Sequence, residues 1–372
     1  MSEERRQRET EENPAFRVAL GNAGALVFPL IAILISFVIG AGLVLATGSN
    51  PVAAYGALLR GAVGSPDAVG RTLLNATPLI FTGLAVAVAF RAGLFNIGGE
   101  GQFFIGAITA GWLGISLSFL GPFTMYPVMA ASVVAGFLWG AIPGLLKAYR
   151  GAHEVITTIM LNVIAANLIT YLALNPLRSE GLVPGTADID LIARIPFIGF
   201  GLGRANWGFF FALIAALVAY LLLWRTRLGF QIRAVGLSPG AATYAGMGIG
   251  RNTVLALAIG GAFAGLGGAV EVLGVYGKVS VPFVTNLGFT GIGVALLGRN
   301  HPVGVILGAL LFGGLASGAQ EMQFATDVPL QLANVLLAVI LLLVTATKLV
   351  ELIVGKRARA FAGARMEKGL GQ

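Results

Sequence analysis

Long stretches without any Asp, Glu, Lys or Arg are the feature of this sequence that most restricts its fold. A helix that spans a bilayer needs about 20 apolar residues, and the lipid interior tolerates few charges. Nine intervals meet this requirement: Arg17 to Arg60, Arg71 to Arg91, Glu100 to Lys147, Glu154 to Arg178, Arg204 to Arg225, Arg251 to Glu271, Lys278 to Arg299, Arg299 to Glu321, and Asp327 to Lys348. Each predicts one helix, except that the turn GPFTMYP (121–127) divides the third interval into two. We therefore expect an all-α, polytopic membrane protein with about ten transmembrane helices.

The distribution of basic residues predicts the orientation of these helices. With the N-terminus inside, 18 of the 24 lysines and arginines fall on the inner side and 6 on the outer side. This bias places both the N- and the C-terminus in the cytoplasm. Ten helices then divide into five and five, the plan of an inverted repeat. The expected organisation is a cytoplasmic tail at 1–23, a transmembrane domain at 24–350 with an external loop at 175–205, and a basic cytoplasmic tail at 351–372.

Composition and missing motifs exclude several classes of function. The net charge of +8 is scattered over predicted cytoplasmic loops without interleaved aromatic residues, so we expect no nucleic-acid partner. The chain has no cysteine, and HEVIT (153–157) has Thr157 where a zinc protease has its second histidine. His301 is the only other histidine, and the sequence has no P-loop motif. We expect no metal site, no ATP hydrolysis by this chain and no enzymatic activity.

Glycines recur four residues apart along several predicted helices. They are Gly136, Gly140 and Gly144, then Gly261 and Gly265, Gly304 and Gly308, and Gly314 and Gly318. Small residues at this spacing allow helices to approach closely in lipid. The pattern predicts a tightly packed helical bundle.

The largest internal cytoplasmic loop, residues 225–251, contains a candidate helix of small, uncharged residues. Ser238 is a good N-cap, Pro239 suits the first helical position, and Gly246 can end the helix. A helix of about seven residues is marginal alone in water. It therefore either docks in a groove of another protein or lies on the membrane as an ordinary interfacial helix.

Three segments of the chain carry a resemblance to a known family: RAVGLSPGAATYAGM (233–247), FRAGLFNIGGEGQFFIGA (90–107) and GAHEVITTIMLNVIA (151–165). They are similar to the signatures of bacterial ABC importer permeases of the ribose/branched-chain-amino-acid-type superfamily, in its nucleoside or simple-sugar branch. With the ten-helix layout, the resemblance covers residues 24–350. His153 departs from it, because the family usually has asparagine before Glu-Val-Ile.

The resemblance implies the permease subunit of an ATP-binding-cassette importer in the cell inner (plasma) membrane. Such a subunit forms the path for nucleosides or a related ribose or sugar solute. It has no cofactor of its own, because partner ATPase subunits bind ATP and Mg²⁺. The other implied partners are a second permease, related or identical, an extracytoplasmic substrate-binding lipoprotein, and membrane lipid. Coupling to the ATPase would be carried out by Leu237, Ser238, Pro239, Gly240, Ala241, Ala242, Thr243, Tyr244, Ala245 and Gly246.

Polar residues in or beside the predicted helices are candidates for the translocation path or a gate, because a polar group in lipid needs a partner. The candidates are Asn96, Glu100, Gln102, Glu154 and Asn162. Glu100 is either a gate, compensated by Arg91 or by the N–H groups of the helix that starts near Gly101, or a structural ion pair or helix cap. The amides of Asn96 and Gln102 suit a ligand and broken backbone equally, and that of Asn162 suits path lining or a bond between helices.

Two further glutamates lie near basic residues and favour ion pairs, Glu154 with Lys147 or Arg150 and Glu271 with Lys278. The alternative function is a stand-alone, ion-coupled secondary transporter of a small polar solute, with Glu100 or Glu271 coupling protons. The candidate helix at 237–246 speaks against it. A membrane-embedded enzyme is a second alternative, but the chain offers it almost no catalytic groups.

Overall fold

The computed structural model describes residues 31–345, apart from 32, 181–182, 284–285 and 327. The predicted tails at 1–23 and 351–372 lie outside the described residues. Within the described residues the chain is α-helical, with isolated bridges but no β-strand. The helices are α1 (Ile33–Ala46), α2 (Pro51–Val63), α3 (Pro66–Arg91), α4 (Gly99–Ser116), α5 (Met125–Arg150), α6 (Glu154–Leu174), α7 (Gly208–Arg225), α8 (Arg227–Leu237), α9 (Pro239–Tyr244), α10 (Ile249–Glu271), α11 (Leu287–Leu297), α12 (Pro302–Thr326) and α13 (Leu330–Thr345). A π-helical turn, Val272–Tyr276, continues α10, and 3₁₀ turns occupy Ser118–Phe123 and Leu191–Ala193.

Six helices in the described part of the chain are long and apolar enough to cross a membrane. They are α3, α5, α6, α7, α10 with its π turn, and α12, and the number rises to seven if the broken pair α1 and α2 counts as one span. The predicted division of the third charge-free interval is confirmed, because α4 ends at Ser116 and α5 begins at Met125.

Two charge-free intervals differ from the expectation of one long helix each. The first holds two helices, because the chain breaks after Ala46 and restarts at Pro51, a residue suited to the first helical position. In the described part of the interval from Lys278 to Arg299 the one helix is α11, whose eleven residues span about 16 Å. Gly277 and Asn286 adopt positive φ angles of 69° and 72°, a conformation that a right-handed helix does not contain. A continuous helix therefore cannot run through Gly277 or Asn286, and α11 begins only after Asn286.

The contacts divide the chain into two units, residues 55–325 and the two ends that flank them. In the flanking unit, Ser49 Oγ donates to the carbonyl oxygen of Thr326 at 3.1 Å. In the larger unit, α10 is the central helix and packs against α3, α4 and α5.

Glycines make the packing between α5 and α10 possible. A Cβ atom added to Gly261 would overlap the carbonyl oxygen of Gly136, and one added to Gly136 would overlap that of Gly261. Further along the same contact, Gly265 lies against Ser132 and Gly136. Only glycine permits this approach, since any side chain would meet backbone atoms. The predicted close packing through glycines four apart is confirmed for these two helices.

Candidate functional site

The chain between α3 and α4, residues 92–98, is a break in which the helical hydrogen bonds are replaced by side-chain amides. Asn96 Oδ1 accepts from the N–H of Gly98 at 3.0 Å, and its Nδ2 donates to Gln102 Oε1 at 3.1 Å. Asn162, from α6, accepts from the N–H of Gly101 at 2.8 Å and donates to the carbonyl of Ile97 at 2.9 Å. The three amides are buried. They satisfy the broken backbone and one another, which is one of the two roles that their chemistry allows.

The break lies beside the middle part of α10, away from the ends of that helix. Asn96 packs at Gly260, where an added Cβ would lie 3.2 Å from Asn96 Nδ2. Gly260 stands eleven positions after Ile249, the first residue of α10, and α10 with its π turn runs on to Tyr276. Eleven residues of α-helix rise about 16 Å, roughly half of a hydrocarbon core of ~30 Å. Asn96 therefore lies beside the middle part of α10. Inside a membrane, irregular backbone is tolerated only when protein satisfies its hydrogen bonds.

Glu100 binds the start of α11. Its two carboxylate oxygens accept from the N–H groups of Asn286 at 2.5 Å and Gly288 at 2.6 Å. The side chain is only 3% exposed. An added Cβ at Gly288 would overlap the backbone of Glu100, so glycine is needed for this approach. A carboxylate at a helix N-terminus is favourable because it meets free N–H groups and the positive end of the helix dipole.

Neither partner that the sequence suggested for Glu100 forms one of the hydrogen bonds described for its carboxylate, although Glu100 does lie in the first turn of α4. Arg91 donates instead to the backbone carbonyls of Asn300 at 2.9 Å and Arg299 at 3.2 Å. The free N–H groups at the start of α4 are not its partners either, because the carboxylate caps a different helix. Glu100 is thus a helix cap, but one that joins two helices far apart in sequence.

The start of α6 lies beside the same break. Lys147 Nζ donates to Glu154 Oε2 at 2.5 Å, so the ion pair favoured for Glu154 is present. His153 is the N-cap of α6, because its Nδ1 accepts from the N–H of Val155 at 3.3 Å. Asparagine caps helices in the same way. The histidine therefore fills the capping position in which the resembling permeases have asparagine.

Glu271 does not form the salt bridge expected with Lys278. The lysine Nζ lies 3.7 Å from Asp188 Oδ2, whereas Glu271 has no hydrogen bond or ion pair to any residue that the structure describes. Its side chain is 7% exposed, at the end of α10. A buried ionisable group without a partner is costly and is commonly kept for function. The sequence does show an acidic residue at the end of a long apolar segment, but the nearby Lys278 made a salt bridge the simpler prediction.

The predicted external loop is ordered against the segment that follows α10. Within its described part, Thr186 and Ile189 donate backbone N–H groups to the carbonyls of Val279 at 2.9 Å and Gly277 at 2.8 Å. Asn206, which the sequence analysis did not single out, accepts from the N–H of Gly208 at the start of α7 and donates to the carbonyl of Gly274. The loop therefore covers the π turn.

The candidate coupling segment forms the short helix α9. Ser238 Oγ accepts from the N–H of Ala241 at 3.3 Å, and Gly246, at φ 75°, ends the turn. Leu237 and Tyr244 are 88% and 97% exposed. Two large hydrophobic side chains so open to solvent beside a capped short helix form a surface suited to a protein partner.

Comparison with known proteins identifies the family. The model of the permease component of branched-chain amino acid transport systems matches residues 68–345. The chain belongs to this permease family. The guanosine ABC transporter permease protein NupP of Bacillus subtilis (strain 168) is 40% identical, over 89% of this chain and 96% of NupP. The nucleoside ABC transporter permease protein NupB of Lactococcus lactis subsp. cremoris (strain MG1363) is 36% identical, over 93% and 98%. The glucose ABC transporter permease protein of Haloferax volcanii is 35% identical, over 86% and 87%.

Membership of the permease family confirms the resemblance found in the sequence. The chain is a permease subunit of an ABC transporter, a class of membrane transport proteins rather than enzymes. Its apolar helices and its relatives make it a multi-pass protein of the inner membrane. ABC permeases work with ATPase and substrate-binding partners in general.

Proposed function

We propose that this permease forms the translocation path of an importer for nucleosides. The observation that carries the proposal is the 40% identity to a guanosine permease along nearly its whole length. The relative named as a glucose permease supports a second candidate, a sugar solute. Either solute implies an ABC importer, and we therefore do not propose the alternative function of an ion-coupled secondary transporter.

The proposed topology has ten spans, with both termini in the cytoplasm and a five-plus-five inverted repeat within residues 24–350. The excess of basic residues on one side supports the orientation. The six long spans and the broken pair α1 and α2 account for seven of the ten, and α4 and α13 are proposed as two more. The tenth is the interval from Lys278 to Arg299, in which α11 itself covers only about 16 Å. Residues 1–23 and 351–372 are the cytoplasmic tails of this arrangement.

The proposed partners attach at opposite ends of the spans. ATPase subunits, which bind ATP and Mg²⁺, dock on residues 237–246, and the exposure of Leu237 and Tyr244 supports this assignment. A substrate-binding lipoprotein docks outside, where the loop at 175–205 covers the π turn. A second permease, related or identical, completes the path.

The proposed gate is the break between α3 and α4. Asn96, Gln102 and Asn162 use their amides on backbone and on one another, so their role is to hold the break in shape beside the path. Glu100 couples the break to α11, and Glu154 anchors its cytoplasmic edge through Lys147. A movement of α11 would then reach the break directly.

The test uses the complete transporter, with its ATPase, second permease and binding protein, in proteoliposomes. Uptake and ligand-stimulated ATPase activity are measured for guanosine, adenosine, uridine, cytidine and glucose. Stimulation by nucleosides supports the proposal. Stimulation by glucose alone transfers the assignment to sugars, and proton-driven uptake by this chain without an ATPase overturns the whole reading.

The coupling role is tested by a pair of matched variants. Tyr244→Ala removes a side chain that is 97% exposed on α9, and Phe200→Ala removes one that is 94% exposed in the external loop. Tyr244→Ala should lower co-purification of the ATPase and ligand-stimulated ATP hydrolysis. Phe200→Ala should leave co-purification of the ATPase unchanged, and this is the readout on which the two variants are compared, because the external loop is the proposed docking site of the binding protein. Equal behaviour of the two variants contradicts the docking role of α9.

A further inference from the structure

A cluster of cations surrounds one tryptophan where α7 ends. The guanidinium carbons of Arg91 and Arg233 lie 5.2 and 5.7 Å from the ring centroid of Trp224. The same indole contacts the ring of His301, with centroids 4.8 Å apart, and stacks on Tyr220 at 5.5 Å. Cation–π contacts stabilise each guanidinium. They do not neutralise its charge.

The described part of the chain provides no carboxylate for this cluster. Its ion pairs engage Arg71, Lys147, His153, Arg194 and Lys278, and none involves Arg91 or Arg233. Arg91 donates to two backbone carbonyls, as described above. The Nε atom of Arg233 is buried and has no hydrogen-bond partner. Burial, together with the charge of Arg91, lowers the pKa of His301, so the imidazole adds no anionic partner to the cluster.

A cavity of about 500 Å³ opens beside the cluster. Its lining includes Trp224, Arg225, Arg227, Phe230 and Arg233 from α7 and α8, and it contains no acidic residue. The opposite wall is Ala245–Met247, the segment directly after the coupling helix α9. We call this cavity the arginine pocket. It offers several guanidinium donors to one anion while touching the element that binds the ATPase.

We propose that the arginine pocket binds the phosphate headgroup of an anionic phospholipid from the inner leaflet. Guanidinium groups bind phosphate oxygens through paired, charge-assisted hydrogen bonds. The pocket lies where a spanning helix ends, beside Trp224 and an exposed Phe230, and aromatic residues concentrate at this depth of a membrane. Basic pockets on the cytoplasmic side are suited to anionic headgroups. The inference rests on the cytoplasmic placement of residues 225–251 in the proposed function.

The geometry favours a lipid over an acidic side chain of the ATPase. The most exposed residues of the coupling region, Leu237 and Tyr244, do not line the arginine pocket. The pocket instead faces the end of α7, which leads into the membrane. A bound headgroup would connect α8 to the segment after α9. Coupling between ATPase and permease should therefore depend on anionic lipid.

The first experiment measures lipid retention. The purified complex, exchanged into nanodiscs of phosphatidylcholine with phosphatidylglycerol, is released and examined by native mass spectrometry. Arg227→Gln and Arg233→Gln should each lower retention of phosphatidylglycerol about fivefold. Arg251→Gln, which removes an exposed arginine outside the pocket, is the matched control and should retain the lipid. Equal retention by all four proteins overturns the proposal. Arg227 is exposed, so its replacement keeps the test valid if Arg233→Gln does not fold.

The second experiment separates the possible sources of the anion. Basal and ligand-stimulated ATPase activity are compared in nanodiscs of phosphatidylcholine alone, with phosphatidylglycerol, and with inorganic phosphate added. Stimulation only by phosphatidylglycerol, lost in Arg227→Gln, supports the lipid site. If inorganic phosphate stimulates the ATPase activity in phosphatidylcholine alone, the anion need not come from a lipid, and the proposal is overturned. Loss of ATPase co-purification in Arg227→Gln at unchanged lipid retention assigns the pocket to the ATPase and overturns it too. Lipid retention does not require substrate. A wrong assignment of nucleosides as the substrate would therefore leave the retention results unchanged, and the two failures can be told apart.

Discussion

Replacing Glu100 with glutamine is a small chemical change, but we expect it to destabilise the permease strongly. The two carboxylate oxygens accept from the N–H groups of Asn286 and Gly288 at 2.5 and 2.6 Å in a buried site. A hydrogen bond to a charged group contributes about 1.5–3 kcal/mol, and a negative charge at a helix N-terminus contributes ~0.3–2 kcal/mol more. Glutamine keeps one acceptor oxygen, but its NH₂ group faces the second N–H. We expect the free energy of unfolding to fall by roughly 2–4 kcal/mol.

The control is the same change at Glu154, also in the first turn of a helix. Its carboxylate is buried, but it pairs with Lys147, whose side chain is one third exposed and can be solvated when the pair is lost. The expected loss is therefore smaller, about 1–2 kcal/mol. The assay is reversible denaturant unfolding of the purified permease in mixed micelles, followed by tryptophan fluorescence. If Glu100→Gln loses no more stability than Glu154→Gln, the capping of α11 by Glu100 does not stabilise the fold as we reason. Uptake by the assembled transporter should fall with Glu100→Gln, since α11 is no longer held to the break.

Three further predictions concern other buried contacts. Gly261→Ala places a methyl group against the carbonyl of Gly136 and should lower the free energy of unfolding by about 1–3 kcal/mol. Thermal unfolding measures this loss. In the control, Gly240→Ala, the added methyl group meets nothing within 4 Å, and the melting temperature should not fall. Glu271→Gln replaces a buried, ionisable carboxyl group that has no ion pair in the described residues with a neutral amide of similar size, so stability should hold or rise while uptake falls; a loss of stability would reveal a structural role instead. Because burial and Arg91 lower the pKa of His301, the folded state favours the neutral ring, and its stability should decline as pH falls below about 6.5. His301→Gln should flatten that part of the pH profile, and an unchanged profile would contradict the assignment.

Features that depend on neighbouring residues could be predicted from the sequence. Ser238 and Pro239 define the start of α9 because capping needs only the next few residues. The turn at 121–127 separates α4 from α5 for the same reason. The polar break was visible as a cluster of glycines and amides between apolar runs, and the structure joins Asn96 and Gln102 by a hydrogen bond.

Contacts between distant residues could not be predicted in this way. Glu100 meets N–H groups 186 and 188 positions later, and no local pattern indicates them. Proximity in sequence was misleading for Glu271, because Gly277 in a left-handed conformation separates it from Lys278, which lies near Asp188. The glycine spacing indicated that helices pack closely. It did not indicate that α5 and α10 are the pair.

The bond between Glu100 and the start of α11 also constrains how the chain is made. The ribosome finishes α4 first, and residues 286 and 288 follow 186 and 188 residues later. At about 5–20 residues per second, roughly ten to forty seconds separate the carboxylate from the groups that receive it. A lone carboxylate inside lipid is unfavourable throughout that interval. The nascent α4 must therefore wait beside water or the insertion machinery, and the membrane embedding of its first turn is completed only after most of the protein has been translated.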